Sequence, residues 1–204
     1  KPITADFPTI EVRSGLIRIG SETGRVNQEV VCHDLQAKVR LLPRGPNNPT
    51  MPIAVQADVS VSSSHFSKLS VIARSNETQS EWDANGHLEK LDFTPRLIAQ
   101  LPLALQHWLT SFEGVSAELS GDFHAERRNQ KISYEGKGKI ARGRWQTSKI
   151  AFPLEDLSAD VFCKNASLHI RNGKARSGDA NLKVEMDWNG MTKQSPLLCI
   201  AEVN

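Results

Sequence analysis

Long stretches of this chain alternate apolar and polar residues with a period of two, and that alternation limits its possible folds more than any motif does. In Leu35-Gln36-Ala37-Lys38-Val39-Arg40-Leu41 the odd positions are apolar, and Val115-Ser116-Ala117-Glu118-Leu119-Ser120-Gly121-Asp122-Phe123 repeats the pattern. Ile53, Val55, Ala57, Val59 and Val61 form a third stripe, Leu157, Ala159, Val161 and Cys163 a fourth, and Leu182, Val184, Met186 and Trp188 a fifth. Each such run makes a strand with one dry and one wet face, which is the signature of antiparallel sheet. The turn signals between the runs are Ser21 to Gly24, Pro43 to Pro49, Asn85-Gly86, Asn172-Gly173 and Asn189-Gly190. Asn-Gly tolerates the positive φ of tight hairpins, so neighbouring strands should be joined in order, as a meander. The expected fold class is mainly all-β.

One stretch leaves the period. Thr94-Pro95 offers an N-cap with proline at the first helical position, and Leu97, Leu101, Leu105, Trp108 and Phe112 follow at helical spacing. Pro102 cannot donate a backbone hydrogen bond and clashes with the preceding turn, so the insertion at residues 94–112 should be a short helix followed by a second near Pro102. Its apolar stripe should lie against the sheet. The division expected is a first β unit over 1–93, this insertion, and a second β unit over 113–204.

The 204 residues suffice to bury a core. Twenty-five Lys and Arg against 23 Asp and Glu leave a net charge of +2, too weak a field for a polynucleotide binder. A composition of 39% hydrophobic and 24% charged residues excludes a disordered chain. The longest uncharged run, Leu97 to Phe112, is interrupted by Gln100, Pro102, Gln106 and His107, and is too short and too polar to span a bilayer as a helix. Cys32, Cys163 and Cys199 are too few and too scattered for a disulfide framework or a zinc site. Buried free thiols are expected, with one disulfide and a leftover thiol as the alternative. Lys1 is neither a Met nor part of an apolar signal core, and Ile200 to Asn204 has no obvious closing element, so the sequence reads as a processed or excised piece of a longer protein.

The chain also echoes itself. Gly15-Leu16-Ile17 through His33-Asp34-Leu35-Gln36-Ala37-Lys38-Val39 is similar to Gly138-Lys139-Ile140 through Glu155-Asp156-Leu157-Ser158-Ala159-Asp160-Val161. A second echo pairs Ala73-Arg74-Ser75 with Ala175-Arg176-Ser177, and its different offset is assigned to the Pro43 to Pro52 loop.

Three segments resemble a known family. They are Gly138 to Trp145 with Phe152-Pro153-Leu154-Glu155-Asp156-Leu157-Ser158-Ala159-Asp160-Val161, then Leu168 to Ala180, and Leu91-Asp92-Phe93-Thr94-Pro95 through Leu105. Together they resemble the AsmA-like proteins of the bacterial cell envelope, relatives of TamB and of the bridge-like lipid-transfer proteins; the last segment is similar to a helix of planctomycete-like members. The likeness covers roughly residues 80 to 192. It implies curved antiparallel sheets built from a repeated β unit, with an apolar trough for acyl chains on the concave side, in a periplasmic or envelope setting. A chain of 204 residues would make only a short length of such a trough. The implied partners are lipid acyl chains and either the rest of a parent chain or other envelope proteins; no nucleic acid, cofactor or metal is expected. Two sequons, at Asn76 and Asn165, matter only in a eukaryotic secretory setting.

No residues stand at the spacing of a nucleophile, base and orienter, so catalysis is not expected. Gly136-Lys137-Gly138 with Gly143 lacks the phosphate-loop sequence and leads into a strand, which reads as small residues at a strand bend. The histidines His33, His65, His87, His107, His124 and His169 read as surface residues. Arg127, Arg128, Lys131, Lys137, Lys139, Arg142, Arg144 and Lys149 form one basic concentration, read as a solvated strand face or else as a rim for anionic lipid headgroups. Its phase slips between Lys139 and Arg142, which predicts a bulge near Ile140-Ala141 that splays the charges.

An apolar sheet face must be covered by a second sheet, by the helix or by something that is not protein. A helix over 94–112 is about 28 Å long and cannot cover some ten strands alone, so either the two halves close on each other or lipid fills the gap. The groove is expected to be lined by Val115, Leu119, Phe123, Leu157, Val161, Leu182, Val184 and Met186. The leading expectation is therefore a non-enzymatic envelope module that binds acyl chains. Its rivals are a ligand-free structural or protein-interaction scaffold and a glycan-active enzyme on a β frame.

Overall fold

The strands build one antiparallel sheet of 12 members in a computed structural model. It describes residues 9–20, 29–44, 48–76, 80–101, 106, 109, 114–146, 152–190 and 197–203, without the side chains of 20, 43–44, 48–53, 197–199, 201 and 203. In chain order the elements are β1 (Thr9–Val12), β2 (Ile17–Gly20), β3 (Glu29–Arg44), β4 (Asn48–Ser63), β5 (Phe66–Asn76), β6 (Trp82–Phe93), α1 (Pro95–Gln100), β7 (Val115–Arg128), β8 (Lys131–Trp145), β9 (Leu154–Lys164), β10 (Ser167–Ser177), β11 (Ala180–Asn189) and β12 (Leu197–Val203). From β3 to β12 every strand pairs with the next, the meander expected; β1 and β2 lie end to end along the outer edge of β3. The β6 to β7 ladder runs from Trp82↔Arg127 to Phe93↔Ala117, so the sheet is continuous across the helical insertion.

Four hairpins turn in two residues, at Ser64-His65, Asn129-Gln130, Asn165-Ala166 and Gly178-Asp179. Asn129 and Gln130 both have positive φ, 50° and 64°, the conformation whose twist matches that of the flanking strands. Two of the expected turns are not turns. Asn85-Gly86 lies inside β6, where a Cβ on Gly86 would meet the Phe123 ring at 2.1 Å; this glycine makes room for an aromatic side chain. Asn172-Gly173 lies inside β10 as a bulge, with Asn172 at φ 53°. Asn189-Gly190 does close β11, with Gly190 at φ 90°, while Ser21–Gly24 lies outside the described residues.

Helix α1 begins as its sequence dictates: Pro95 opens it, and the Thr94 side chain accepts from Leu97 N at 3.3 Å. It stops because Leu101, which precedes Pro102, is forced into the extended region (φ −76°, ψ 157°). Gln106, itself helical, reaches back to the carbonyls of Ala99 and Leu101 at 3.2 and 2.6 Å and so caps the end. Leu105, Trp108 and Phe112 lie outside the described residues.

Five bulge residues with positive φ, Asp34, Lys90, Arg142, Asp156 and Asn172, fall at register shifts in β3, β6, β8, β9 and β10. Each inserted residue reverses the side-chain phase, so every strand keeps its apolar residues on one face beyond the shift. The bulge expected near Ile140-Ala141 is present at Arg142, but it does not splay the charges. It returns Arg144 to the face that carries Lys137 and Lys139. The first sequence echo is also structural: Asp34 and Asp156 occupy the same bulge, φ 54° and 53°, each followed by a leucine. The second is not, because Ala73 sits two strands after the Asp34 bulge and Ala175 one strand after the Asp156 bulge.

The two halves do not close on each other among the described residues. Among the described residues the strands pack edge to edge with their ladder neighbours, and α1 packs on β3 and β6. The chain exposes 13876 Å², against about 9,500 Å² for a compact monomer of its 22.6 kDa. This is a single-layer sheet. Its largest buried cluster, Val30, Cys32, Val61, Phe66 and Leu97, lies where α1 covers the β3 to β6 end.

Candidate functional site

Residues paired across a ladder share a face, so the register shows where each side chain stands. Leu119 pairs with Ile140 and Ile140 with Ala159; Gly121, Gly138, Val161, Ile170 and Met186 form the next row; Phe123, Gly136, Cys163, Leu168 and Trp188 form another. Val115 faces Trp145, Leu157 faces Gly143, Leu182 faces Ala175 and Val184 faces Gly173. All eight candidate positions therefore lie on one apolar face across β7 to β11. Six are half-buried, whereas Leu157 and Val184 are each only 8% exposed, packed with Ala175 and flanked by Ile140, Leu154 and Leu182.

Glycines shape the middle of this face. A Cβ on Gly121 would lie 2.6 Å from the Gly138 Cα, one on Gly173 2.2 Å from the Val184 carbonyl oxygen, and one on Gly143 2.9 Å from the Leu157 Cβ. Ordinary cross-strand side chains stand some 4.5–5.5 Å apart, so at these points only glycine lets the neighbouring backbones come this close on the apolar side. The Phe123 ring tips over Gly86, toward β6, so along β8 Gly136 has the Cys163 Sγ, 3.0 Å from a built Cβ, as its nearest neighbour, and Gly138 has the backbone of Ser120 and Gly121. Neither glycine belongs to a phosphate loop.

The opposite face is charged and internally paired. His87 Nδ1 lies 2.7 Å from Asp122 Oδ1, with Lys137 Nζ 4.0 Å from the other oxygen. Asp187 Oδ1 lies 2.5 Å from His169 Nδ1 and accepts from Arg171 at 2.6 Å. These hydrogen bonds, His169 first, hold the Asp187 carboxyl below the usual carboxylate range. Glu11 is lowered in the same way by Lys38, 2.9 Å away, and the two border an open concavity of about 590 Å³ with Asp58, Ser60, Ser70 and Ile72. None of the eight candidates lines that concavity. Arg142 pairs with Glu118 across the strands.

Two expectations about individual side chains are corrected. His65 is buried, 7% exposed, because the Ser64-His65 hairpin tucks under α1, where His65 Nε2 lies 2.6 Å from Gln100 Oε1. Arg127 belongs to the apolar face, paired with Trp82 and Ile132, whereas Arg128, Lys131, Lys137, Lys139 and Arg144 take the opposite phase. The signal was readable, since Val115, Leu119, Phe123 and Arg127 share one phase, but clustering by charge hid it. Cys32 and Cys163 are free; burial pushes both thiols up, and Cys163 stands on the apolar face in phase with Val161. Among the described residues, no helix is long and apolar enough to cross a membrane, and no three His, Cys, Asp or Glu side chains gather to hold a metal.

Fold and site together define a class: a one-layer antiparallel sheet with one charged face and one continuous apolar face. No family model, curated protein or solved structure matches the chain.

Proposed function

We propose that the chain is a non-enzymatic module whose trough holds lipid acyl chains, working in a bacterial envelope or periplasm as part of an AsmA-like assembly. One observation carries the reading: an apolar face runs across the sheet with α1 over one end and, among the described residues, only strands along the other. A soluble chain gains by covering such a face. An acyl chain supplies about 0.8 kcal/mol per buried methylene, so about ten carbons bring roughly 8 kcal/mol against an association cost of about 4–15 kcal/mol. The envelope setting rests on the family resemblance alone.

Organic extraction of the purified protein followed by mass spectrometry should recover acyl lipid. Leu119→Glu should abolish uptake of a fluorescent fatty acid while keeping a cooperative melting transition, because Leu119 is only half-buried. Val184→Glu should unfold the domain, since it buries an unpaired charge. No extracted lipid and no uptake by the unmutated protein would sink the proposal and leave the scaffold reading.

A further inference from the structure

We propose that Arg127 anchors the head of the trough's ligand, and that this ligand is a single-chain, long-chain carboxylate whose tail lies along β8 from Ile132 toward Ile140. This inference rests on the acyl-chain reading above and gives it a headgroup and a direction. Among the described residues, Arg127 is the one charged side chain that the ladder register places on the apolar face; Asp34, Lys90, Arg142 and Asp156 sit at bulges outside the ladder pairs. The ladder reaches it as the last step of the stripe Leu119, Gly121, Phe123, Ala125, Arg127.

Arg127 is also without a hydrogen-bonding or ion-pair partner among the described residues. Its neighbour Arg128 takes Glu126, at 2.8 Å, on the other face. The Arg127 ladder partners, Trp82 and Ile132, offer no acceptor side chain. A half-buried guanidinium beside apolar neighbours favours an oxyanion that can take two of its N–H groups at once, the geometry a carboxylate provides.

The lane beside it fits one chain. From Ile132 to Ile140 is eight residue-to-residue steps along the strand, about 27 Å, and the flanking strands β7 and β9 stand about 9.5 Å apart. Ile132 and Tyr134, 62% and 40% exposed, mark the open mouth next to Arg127. Beyond them the floor is glycine: the atoms nearest a Cβ built on Gly138 are backbone of Ser120 and Gly121, and the Cys163 Sγ borders the lane 3.0 Å from a Cβ built on Gly136. Phe123 and Val161 stand on the flanking strands, and Ile140 ends the lane between Leu119 and Ala159. With one cation at the mouth and one lane behind it, the site matches a monoanionic, single-tailed ligand.

The test is displacement of a fluorescent fatty acid at pH 8 by an 18-carbon carboxylate and by the corresponding neutral alcohol. Wild type, Arg127→Gln and Arg127→Lys should be compared, with melting curves for each. Wild type should bind the carboxylate about tenfold more tightly than the alcohol. Arg127→Gln should erase that preference, by weakening the carboxylate far more than the alcohol, with the melting curve unchanged, and Arg127→Lys should restore part of it. A carboxylate preference that survives Arg127→Gln, or no preference in wild type, overturns the proposal while leaving the trough intact. Stronger displacement by a diacyl phospholipid in vesicles overturns the single-chain assignment. Failure of wild type to bind either 18-carbon ligand removes the acyl-chain reading itself.

Discussion

The two ends of the apolar face are made from the same alternating sequence and are finished differently. Over β3 to β6, Leu97 of α1 drops onto Val30, Cys32, Val61 and Phe66, and the five form one cluster under a protein roof. Over β9 to β11 the buried residues form two smaller clusters, Leu157, Ala175 and Val184 in one and Leu168 and Trp188 in the other, with only strand residues packed against them, and Ala159 is buried outside both. Residues there are shielded by neighbours on the same face. The lesson is that period two states which face is apolar, but not what covers it.

Side-chain truncation gives the largest test of this difference. Phe66→Ala, under the roof, should cost about 3–4 kcal/mol by denaturant melting, whereas Leu182→Ala, half-buried on the open side, should cost about 1 kcal/mol. Equal losses would mean that the open end is as fully packed as the covered one.

Thiol reactivity sharpens the same contrast. In a Cys199→Ser background, native Cys163 on the trough should react with an uncharged thiol reagent several-fold faster than Cys32 beneath α1, and both more slowly than in denaturant. Saturating fatty acid should then slow Cys163 alone; equal slowing of Cys32 would break the two-region picture.

The smallest effect concerns the polar face behind the open end. Because the folded state lowers the Asp187 pKa, the stability it contributes is present above the ordinary aspartate pKa of about 3.9 and is lost as pH falls through the depressed folded value. Urea midpoints of wild type and Asp187→Asn should therefore differ at pH 7 and converge below about pH 4. A gap that stays constant down to pH 2 would show that the carboxylate charge is not what the His169 and Arg171 contacts stabilise.

Strand phase was legible because side chains alternate strictly: Leu119, Val161, Val184 and Met186 reach one face just as their spacing implies. Thr94-Pro95 was legible as a helix start, since capping is local chemistry. Asn85-Gly86 misled, because the same dipeptide that serves a turn also serves a strand that must admit the Phe123 ring, and the ring lies on another strand. The burial of His65 could not be read either, because Gln100 is distant in sequence and meets it only through the placement of α1.

The sequence by itself determined that this chain makes antiparallel strands with one apolar face, because the two-residue period is a property of each strand alone. It also set where the phase slips, as the shift after Lys139 and the repeated Asp-Leu show. The tertiary structure alone decided that the halves extend one sheet and do not stack into two layers among the described residues, that glycines on neighbouring strands meet on the apolar face, and that Arg127 joins that face with no partner among the described residues. Those outcomes depend on which strands become neighbours and in what register, and long-range pairing is not written in the period of any single strand.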